Sequence, residues 1–181
     1  LLGVNSTMAR HSLRLIENGH RIGLRALKQV ASVKNVTSGV VGFQLAPRLN
    51  AAGRMEDAAL GVELLLEEDM IRALNTARYL DQCNRTRQEL EKQTLNEAEV
   101  AVASLTGQHT HAIVLSGEGW HPGVIGIVAS RLVERYHRPT VLVALDGEQG
   151  KGSARSIRGY HLYQGLQACA DYLMAFGGHE M

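Results

Sequence analysis

The chain has 181 residues, a length that fits one large domain or two smaller lobes. Hydrophobic residues make up 45% and aromatic residues only 4%, so we expect a core of Leu, Val, Ile and Ala. A formal net charge of +1 excludes a protein that attracts nucleic acid through a strongly basic overall field, so any polyanion must bind a local patch. The two cysteines predict no disulfide framework, and no apolar run reaches transmembrane length. We therefore expect a cytoplasmic protein without membrane contact.

The first third of the chain predicts helices and one loop. Residues 12–31 have apolar side chains at near-helical spacing, with a break at Asn18 and Gly19, and their basic residues are interpreted as a solvated face. Residues 38–55 are interpreted as a loop, because they are rich in Ala and Gly and because Pro47 disfavours helix at the preceding residue.

This predicted loop carries three polar side chains, Arg48, Asn50 and Arg54. Guanidinium and carboxamide groups suit contacts with phosphate and sugar, so the functional interpretation is a nucleic-acid contact. The structural alternative is that the arginines pair with carboxylates such as Glu56 or Asp57.

A long helical region is predicted from Asp57 to about Leu105, with a break at residues 67–69. Asp57 can cap its first segment, and the acidic break can cap the second. The second segment, roughly 36 residues at about 1.5 Å each, would span on the order of 54 Å. Its middle, residues 81–93, is polar, which is typical of a connector between two lobes, and we interpret most of these side chains as solvated.

The remaining sequence alternates between strands and helices. A strand at residues 112–116 leads into a glycine-rich loop and a helix that begins near Pro122 and ends at Tyr136, and a second strand covers Thr140 to Leu145. Gly123 and Gly126 near the helix start favour an anion site or tight strand packing. In the loop, Trp120 and His121 are either functional or a structural plug. His109 and His111 lack companion ligands, so we predict no metal site.

Residues 150–156 (GKGSARS) combine two glycines, two hydroxyls, an ammonium and a guanidinium. Glycines allow close approach of the backbone, exposed N–H groups can form an anion-binding nest, and arginine matches a phosphate, which together favour a phosphate cradle. The alternative is a hairpin turn whose Lys151 and Arg155 are solvated. A nucleotide-triphosphate P-loop fits worse, because Leu145 and Gly152 replace the required Gly and Ser/Thr.

The chain ends with a predicted helix over residues 162–173, with Cys169 in its core, and the sequence FGGH at residues 176–179. His179 follows two glycines, so its imidazole can donate to a phosphate or a base, or cap a helix end. The abrupt ends lead us to expect a piece of a longer protein.

Five segments, taken in chain order, resemble the RecJ-type single-strand-specific 5′→3′ exonucleases of the DHH phosphoesterase superfamily. They are PRLNAAGRM at residues 47–55, the Ala-x-x-Leu-Asp-x-x-Asn-x-x-Arg helix at 77–87, GWHPGVIGIVASR at 119–131, GKGSARS at 150–156 and FGGH at 176–179.

The resemblance implies an α/β fold in which a long connecting helix leads into an α/β DHH-associated domain. Residues 1–55 would be the end of the catalytic domain and a substrate-side loop, 56–106 the helical connector, and 107–181 the substrate-binding domain, truncated at its C-terminus. The family hydrolyses DNA phosphodiesters in repair and recombination with Mn²⁺ or Mg²⁺ held by Asp and His motifs, and those motifs are absent here. We therefore expect this chain alone to bind no metal, to contain no catalytic residue and to be inactive.

By the same resemblance, Ser153 and Arg155 match positions that contact the 5′ phosphate, and Arg54 matches an arginine nearby. His179 matches a histidine at the DNA groove, while Arg48, Asn50 and His121 lie in matching motifs. The expected partner is single-stranded DNA, with single-strand-binding protein or a helicase as further partners of a whole bacterial enzyme.

Two other functions remain open. One is a non-catalytic nucleic-acid-binding or scaffold module of the superfamily, and the other is a phosphodiesterase for oligonucleotides or cyclic dinucleotides. In the preferred hypothesis, the separate glycine-bearing segments converge on one pocket for the charged end of a strand.

Overall fold

The structure is a computed structural model that describes residues 2–104 and 111–178. It is rich in helix and has a small mixed sheet, and a long helix precedes the α/β region, which confirms the predicted fold class. The chain divides into two compact units, Leu1–Gln88 and Glu89–Met181. Among the described residues, no helix is both long enough and apolar enough to span a membrane.

The first unit is helical. It contains α1 (Gly3–Asn18), α2 (Ile22–Val30), α3 (Ser38–Val40), a π-helical turn (Val41–Leu45), α4 (Ala46–Met55), α5 (Ala59–Leu66) and the start of α6 (Met70–Ser104). The predicted break is confirmed, because Gly19 ends α1 in the left-handed conformation at φ 70° and donates its N–H to Ile16. The core of this unit is aliphatic and consists of Ala26, Leu27, Leu45, Ala52, Leu64, Ala73, Ala77 and Leu80.

The loop predicted for residues 38–55 is wrong, because this segment is helical. Pro47 is the second residue of α4, directly after the π-helical turn. Ala46 keeps helical angles, and its N–H reaches back five residues to the carbonyl of Val41, which is the hydrogen bond of a π turn. The wider turn therefore carries the helix into the proline.

The long helix α6 has 35 residues, which confirms the predicted length of this helical segment. The predicted acidic caps are also present: Asp57 Oδ1 accepts from the N–H of Ala59 at 2.9 Å, and Asp69 Oδ1 accepts from the N–H of Arg72 at 2.8 Å. In its polar middle, Arg85, Gln88, Glu89 and Lys92 are exposed, as expected for most of these side chains, whereas Asp81, Asn84 and Glu91 are buried. Each of them has a basic partner: Asp81 pairs with Arg48, the side-chain oxygen of Asn84 accepts from Arg87, and Glu91 pairs with Arg131.

The second unit contains a three-stranded sheet in the order β1–β2–β3 with one helix, α7, packed on β2 and β3. The elements are β1 (Ile113–Glu118), α7 (Pro122–Tyr136), β2 (Thr140–Asp146) and β3 (Gln149–Arg155). Strands β1 and β2 are parallel, and β2 and β3 form an antiparallel hairpin. The buried residues of the α7 and sheet layer include Ile113, Val124, Ile125, Val128, Ala129, Leu132 and Leu142, the predicted aliphatic core.

The backbone nest predicted for residues 150–156 is wrong, because most of this segment is strand β3. The hairpin turn lies earlier, where Gly147 adopts a φ of 58°. Gly150 serves packing instead, since a Cβ at this position would lie 2.6 Å from Cγ1 of Val143. β3 is the edge strand of the sheet, and its extended backbone pairs with β2 on one side, so this segment forms no turn in which successive N–H groups converge on an anion.

The last described elements are α8 (Leu162–Gln167) and a 3-10 turn (Ala170–Tyr172), so the helix predicted to reach residue 173 ends earlier. Cys169 is exposed, contrary to its predicted core position, because the chain leaves the helix before this residue.

Candidate phosphate-binding site

Ser153 and Arg155 lie two residues apart on β3, so their side chains leave the same face of the strand. That face packs on α7 at Gly126. A Cβ added to Gly126 would lie 2.8 Å from Oγ of Ser153 and 3.1 Å from Nη2 of Arg155. Glycine at 126 thus lets both polar groups approach the helix backbone, which agrees with tight strand packing, one of the two alternatives predicted for this residue.

Three hydrogen bonds fix the guanidinium of Arg155. Its Nε donates to Oγ of Ser130 at 3.2 Å, and its Nη1 donates to the carbonyl of Ala154 at 2.7 Å and to Oγ of Ser153 at 3.4 Å. Nη2 donates no hydrogen bond within the part of the chain that the structure describes, and the residue is exposed. The side chain is therefore held in place while one nitrogen stays available to a ligand.

The resulting donor set suits a phosphate. Of the five N–H groups of a guanidinium, the two on Nη2 remain, and the hydroxyl of Ser153, which accepts from Arg155, keeps its own proton to donate. A hydrogen bond from a charged donor to a phosphate oxygen is stronger than a neutral one.

His121 begins α7 and caps it. Its Nδ1 accepts from the N–H of Gly123 at 3.0 Å, so the hydrogen of a neutral ring lies on Nε2. The ring is half-buried. His121 therefore serves the helix start through one nitrogen and has a donor on the other.

Trp120 is a structural plug. The indole is 8% exposed, its Nε1 donates to Oε2 of Glu97 on α6 at 2.7 Å, and it packs so closely on Gly117 that a Cβ there would lie 2.4 Å from the ring. The hydrogen bonds from Gln93 and Trp120 lower the pKa of Glu97. These contacts fix the loop before α7 and account for Trp120 without a ligand.

A cavity of about 600 Å³ borders β3. It is lined by Ser153, Arg155 and residues 172–178, together with parts of β2 and α8. The FGG segment that precedes His179 thus lies at the same cavity as Ser153 and Arg155, while His179 itself falls outside the described residues.

In the first unit, Arg48, Asn50 and Arg54 all lie on α4. The Nε of Arg48 pairs with the buried carboxylate of Asp81 at 2.8 Å, and its Nη1 donates to the carbonyl of Gln44 at 2.6 Å. For Arg48, the predicted structural alternative of a carboxylate partner is therefore met by Asp81. Asn50 and Arg54 are exposed.

Two residues in these contacts, Ser130 and Asp81, were not among the predicted site residues. Ser130 is four residues after Gly126 and thus on the same helix face, and that spacing is a signal that could have identified it. Asp81 pairs with two arginines, Arg48 and Arg85, the latter at 2.9 Å. The spacing of residues in α6 did not predict the pairing of Asp81 with Arg48.

Metal binding has no counterpart among the described residues. Across residues 2–104 and 111–178, no three His, Cys, Asp or Glu side chains come together as ligands of an ion would.

The comparison with known proteins agrees with these features. Residues 99–181 match the DHHA1 domain family. The chain is 42% identical over 181 residues to the single-stranded-DNA-specific exonuclease RecJ of Bacillus subtilis and 35% identical over 180 residues to that of Thermus thermophilus. The fold is similar to the crystal structure of Thermus thermophilus RecJ in complex with Mg²⁺, with a TM-score of 0.85 and 35% identity. It is equally similar to an exonuclease RecJ bound to manganese, with a TM-score of 0.85 and 36% identity.

The matched regions cover nearly all of this chain but only part of each relative. They include 98% of this chain and 23% of the Bacillus protein, and 99% of this chain and 28% of the Thermus structure. The chain thus spans about a quarter of the length of these relatives. Over nearly its whole length the chain is similar to one part of those exonucleases, and its residues 99–181 match the DHHA1 domain.

Proposed function

We propose that this chain is the DNA-gripping part of a RecJ-type single-strand-specific 5′→3′ exonuclease, and that Ser153 and Arg155 bind the 5′ phosphate of the strand. The observation that carries the proposal is the fixed guanidinium of Arg155, with Nε and Nη1 bonded to protein and Nη2 left as a donor. A pre-positioned donor loses less conformational entropy when the ligand binds, which favours tight and specific recognition.

The choice of a terminal phosphate rests on donor number and charge. A terminal phosphate carries more negative charge than a bridging phosphodiester, and Arg155 with the hydroxyl of Ser153 supplies a cationic donor beside a neutral one. The overall charge of +1 adds little attraction, so the local cation dominates.

We propose the other site residues as secondary contacts. Arg48 resembles Arg155, because its Nε and Nη1 are bonded to protein while its Nη2 makes no hydrogen bond within the described residues. Arg54 and Asn50 would contact backbone phosphate or sugar from the exposed side of α4, and His121 would donate through Nε2. His179 is proposed from the family resemblance alone.

In a whole enzyme, this part would fix the end of the strand while phosphodiester hydrolysis takes place on residues outside this chain. The RecJ relatives of Bacillus subtilis and Thermus thermophilus are single-stranded-DNA-specific exonucleases, which supports single-stranded DNA as the ligand. We propose that the whole enzyme hydrolyses DNA in repair and recombination with Mn²⁺ or Mg²⁺ as its cofactor.

The test is a direct titration of the 181-residue chain with a short 5′-phosphorylated single strand. Arg155→Ala should weaken binding by about 1.5–3 kcal/mol, the range for a hydrogen bond to a charged group. Lys151→Ala is the matched control, because Lys151 lies on the same exposed strand and loses the same charge without a described contact to Ser153 or Arg155. Equal losses for the two variants would show that charge alone matters and would overturn the assignment of Arg155.

A further inference from the structure

Ser130 is the one polar side chain of α7 that contacts Arg155 among the described residues. Its Oγ donates to the carbonyl of Gly126 at 3.1 Å and accepts from Nε of Arg155 at 3.2 Å. A hydroxyl has one proton and two lone pairs, so both bonds can form together. The serine is half-buried on the helix.

We propose that Ser130 is a positioning residue that sets the orientation of the Arg155 guanidinium for phosphate recognition. This inference rests on the proposed function and extends it to a residue that would not touch DNA. The bond from Ser130 to the Gly126 carbonyl holds the hydroxyl in one rotamer, and the lone pair then points towards β3.

The direction of this contact matters more than its strength. The planar guanidinium turns as a unit, so engagement of Nε by Ser130 and of Nη1 by Ala154 and Ser153 determines where Nη2 lies. Nη2 is the nitrogen beside Gly126, where a Cβ would come within 3.1 Å. Without the Ser130 hydroxyl, only the contacts on Nη1 remain, and Nη2 is free to swing away from the hydroxyl of Ser153.

Ser130 should affect the orientation of the Arg155 guanidinium and leave its charge unchanged. Ser130→Ala keeps the positive charge of Arg155 and its contacts with β3, so attraction to DNA in general should persist. The variant should lose the higher affinity for a 5′-phosphorylated strand than for a 5′-hydroxyl strand. That preference requires Nη2 of Arg155 and the hydroxyl of Ser153 to be held in a fixed relative position. A general destabilisation would lower binding of both strands alike.

The experiment uses the 181-residue chain, with Ser130→Ala as the test variant and two further variants as controls. Ser130→Thr keeps a hydroxyl that can bond the carbonyl four residues back and should rescue the effect. Ser156→Ala removes the hydroxyl of a serine next to Arg155 that bonds Ile157 and Tyr160 instead. Far-ultraviolet circular dichroism and thermal unfolding check that each variant folds.

Two measurements are made on each variant. The first is the ratio of dissociation constants for 5′-hydroxyl and 5′-phosphorylated single strands, which Ser130→Ala should reduce roughly three- to tenfold, the range for one lost hydrogen bond. The second is the ¹⁵N–¹H resonance of Arg155 Nε, which should be protected from solvent exchange in the unsubstituted chain, Ser130→Thr and Ser156→Ala, and lost in Ser130→Ala.

The outcomes are distinguishable. A phosphate preference that is unchanged in Ser130→Ala while Arg155→Ala abolishes it would overturn the role of Ser130 and leave the proposed function standing. An unsubstituted chain without any preference would overturn both. Loss of the preference together with the Nε resonance in Ser130→Ala, and recovery of both in Ser130→Thr, would establish the positioning role.

Discussion

Arg155 and Gly126 show how one missing side chain allows a polar contact. The guanidinium and the hydroxyl of Ser153 both occupy space that a Cβ at position 126 would fill. Because Gly126 lies within a regular part of α7, the glycine is not required by backbone conformation, and helix propensity alone would favour alanine. The glycine therefore serves the close approach of strand and helix.

Gly126→Ala should weaken binding of a 5′-phosphorylated single strand roughly tenfold, since the new methyl group displaces Ser153 Oγ and Arg155 Nη2. Thermal unfolding should change little, because a gain in helix propensity of about 1 kcal/mol offsets the clash. Gly61→Ala is the control, since its Cβ would meet only a carbonyl at 3.5 Å. Full binding by the Gly126 variant would contradict the close-approach account.

Glu97 provides a pH-dependent contact at the residue scale. The hydrogen bonds from Gln93 and Trp120 lower its pKa below the ordinary value of 4.5. Between the lowered pKa of Glu97 and about pH 4.5, the unfolded chain binds more protons than the folded chain. The contribution of Glu97 to stability is therefore present above about pH 4.5 and is lost as the pH falls through the lowered pKa.

Glu97→Gln should therefore reduce the dependence of the free energy of unfolding on pH below 4.5, while stability at pH 7 falls modestly. Urea unfolding at several pH values measures this. Glu118→Gln, an exposed carboxylate at the end of β1, serves as the control. If both variants show the same pH profile as the unsubstituted chain, the contact with Trp120 does not titrate as described.

At the scale of elements, α7 is attached to the C-terminal half of α6 by two ion pairs of different burial. Arg131 pairs with Glu91, whose side chain is 4% exposed, and Arg135 pairs with Glu99, whose side chain is 27% exposed. Removal of a partner from a buried carboxylate costs more than removal from an exposed one, because the remaining charge is poorly solvated.

Arg131→Ala should accordingly lower the free energy of unfolding by about 2 kcal/mol, and Arg135→Ala by less than about 1 kcal/mol. The two substitutions remove the same side chain from the same helix, and the larger loss is expected where the acid is buried. Equal losses in urea unfolding would contradict this interpretation of Glu91.

The helices differ in how well local sequence signals predict them. Helix α6 and its caps could be predicted, because apolar spacing and acidic residues at its start are local signals. The helix at residues 38–55 could not, since Pro47 and the glycines are local signals for a loop, and the π turn that accommodates the proline has no signature in composition. The pairing of Arg48 with Asp81 depends on contacts far apart in sequence.

The candidate site was predictable in its residue types and not in its geometry. Glycines near Ser153 and Arg155 indicated a backbone nest, whereas β3 is paired along this segment and presents side chains instead. The position of Ser130 beside Arg155 follows from the packing of α7 on the hairpin, which no local pattern contains.

At the scale of the whole molecule, the net charge of +1 means that DNA should be attracted by local phosphate contacts. The salt dependence of the binding constant tests this expectation. The logarithm of the binding constant for a single strand should fall linearly with the logarithm of salt concentration, by about 0.7 for each phosphate contact. Arg155→Ala should reduce the slope by about that amount, and Lys151→Ala should leave it nearly unchanged. A binding constant independent of salt would show that phosphate contacts do not carry the affinity.

The account depends on the fixed guanidinium of Arg155 as a receptor for the charged end of a strand. The most direct measurement is the affinity of the chain for two single strands of identical sequence, one with a 5′ phosphate and one with a 5′ hydroxyl. We predict that the phosphorylated strand binds about ten times more tightly and that Arg155→Ala removes the difference. Equal affinity for the two strands in the unsubstituted chain would contradict the central claim.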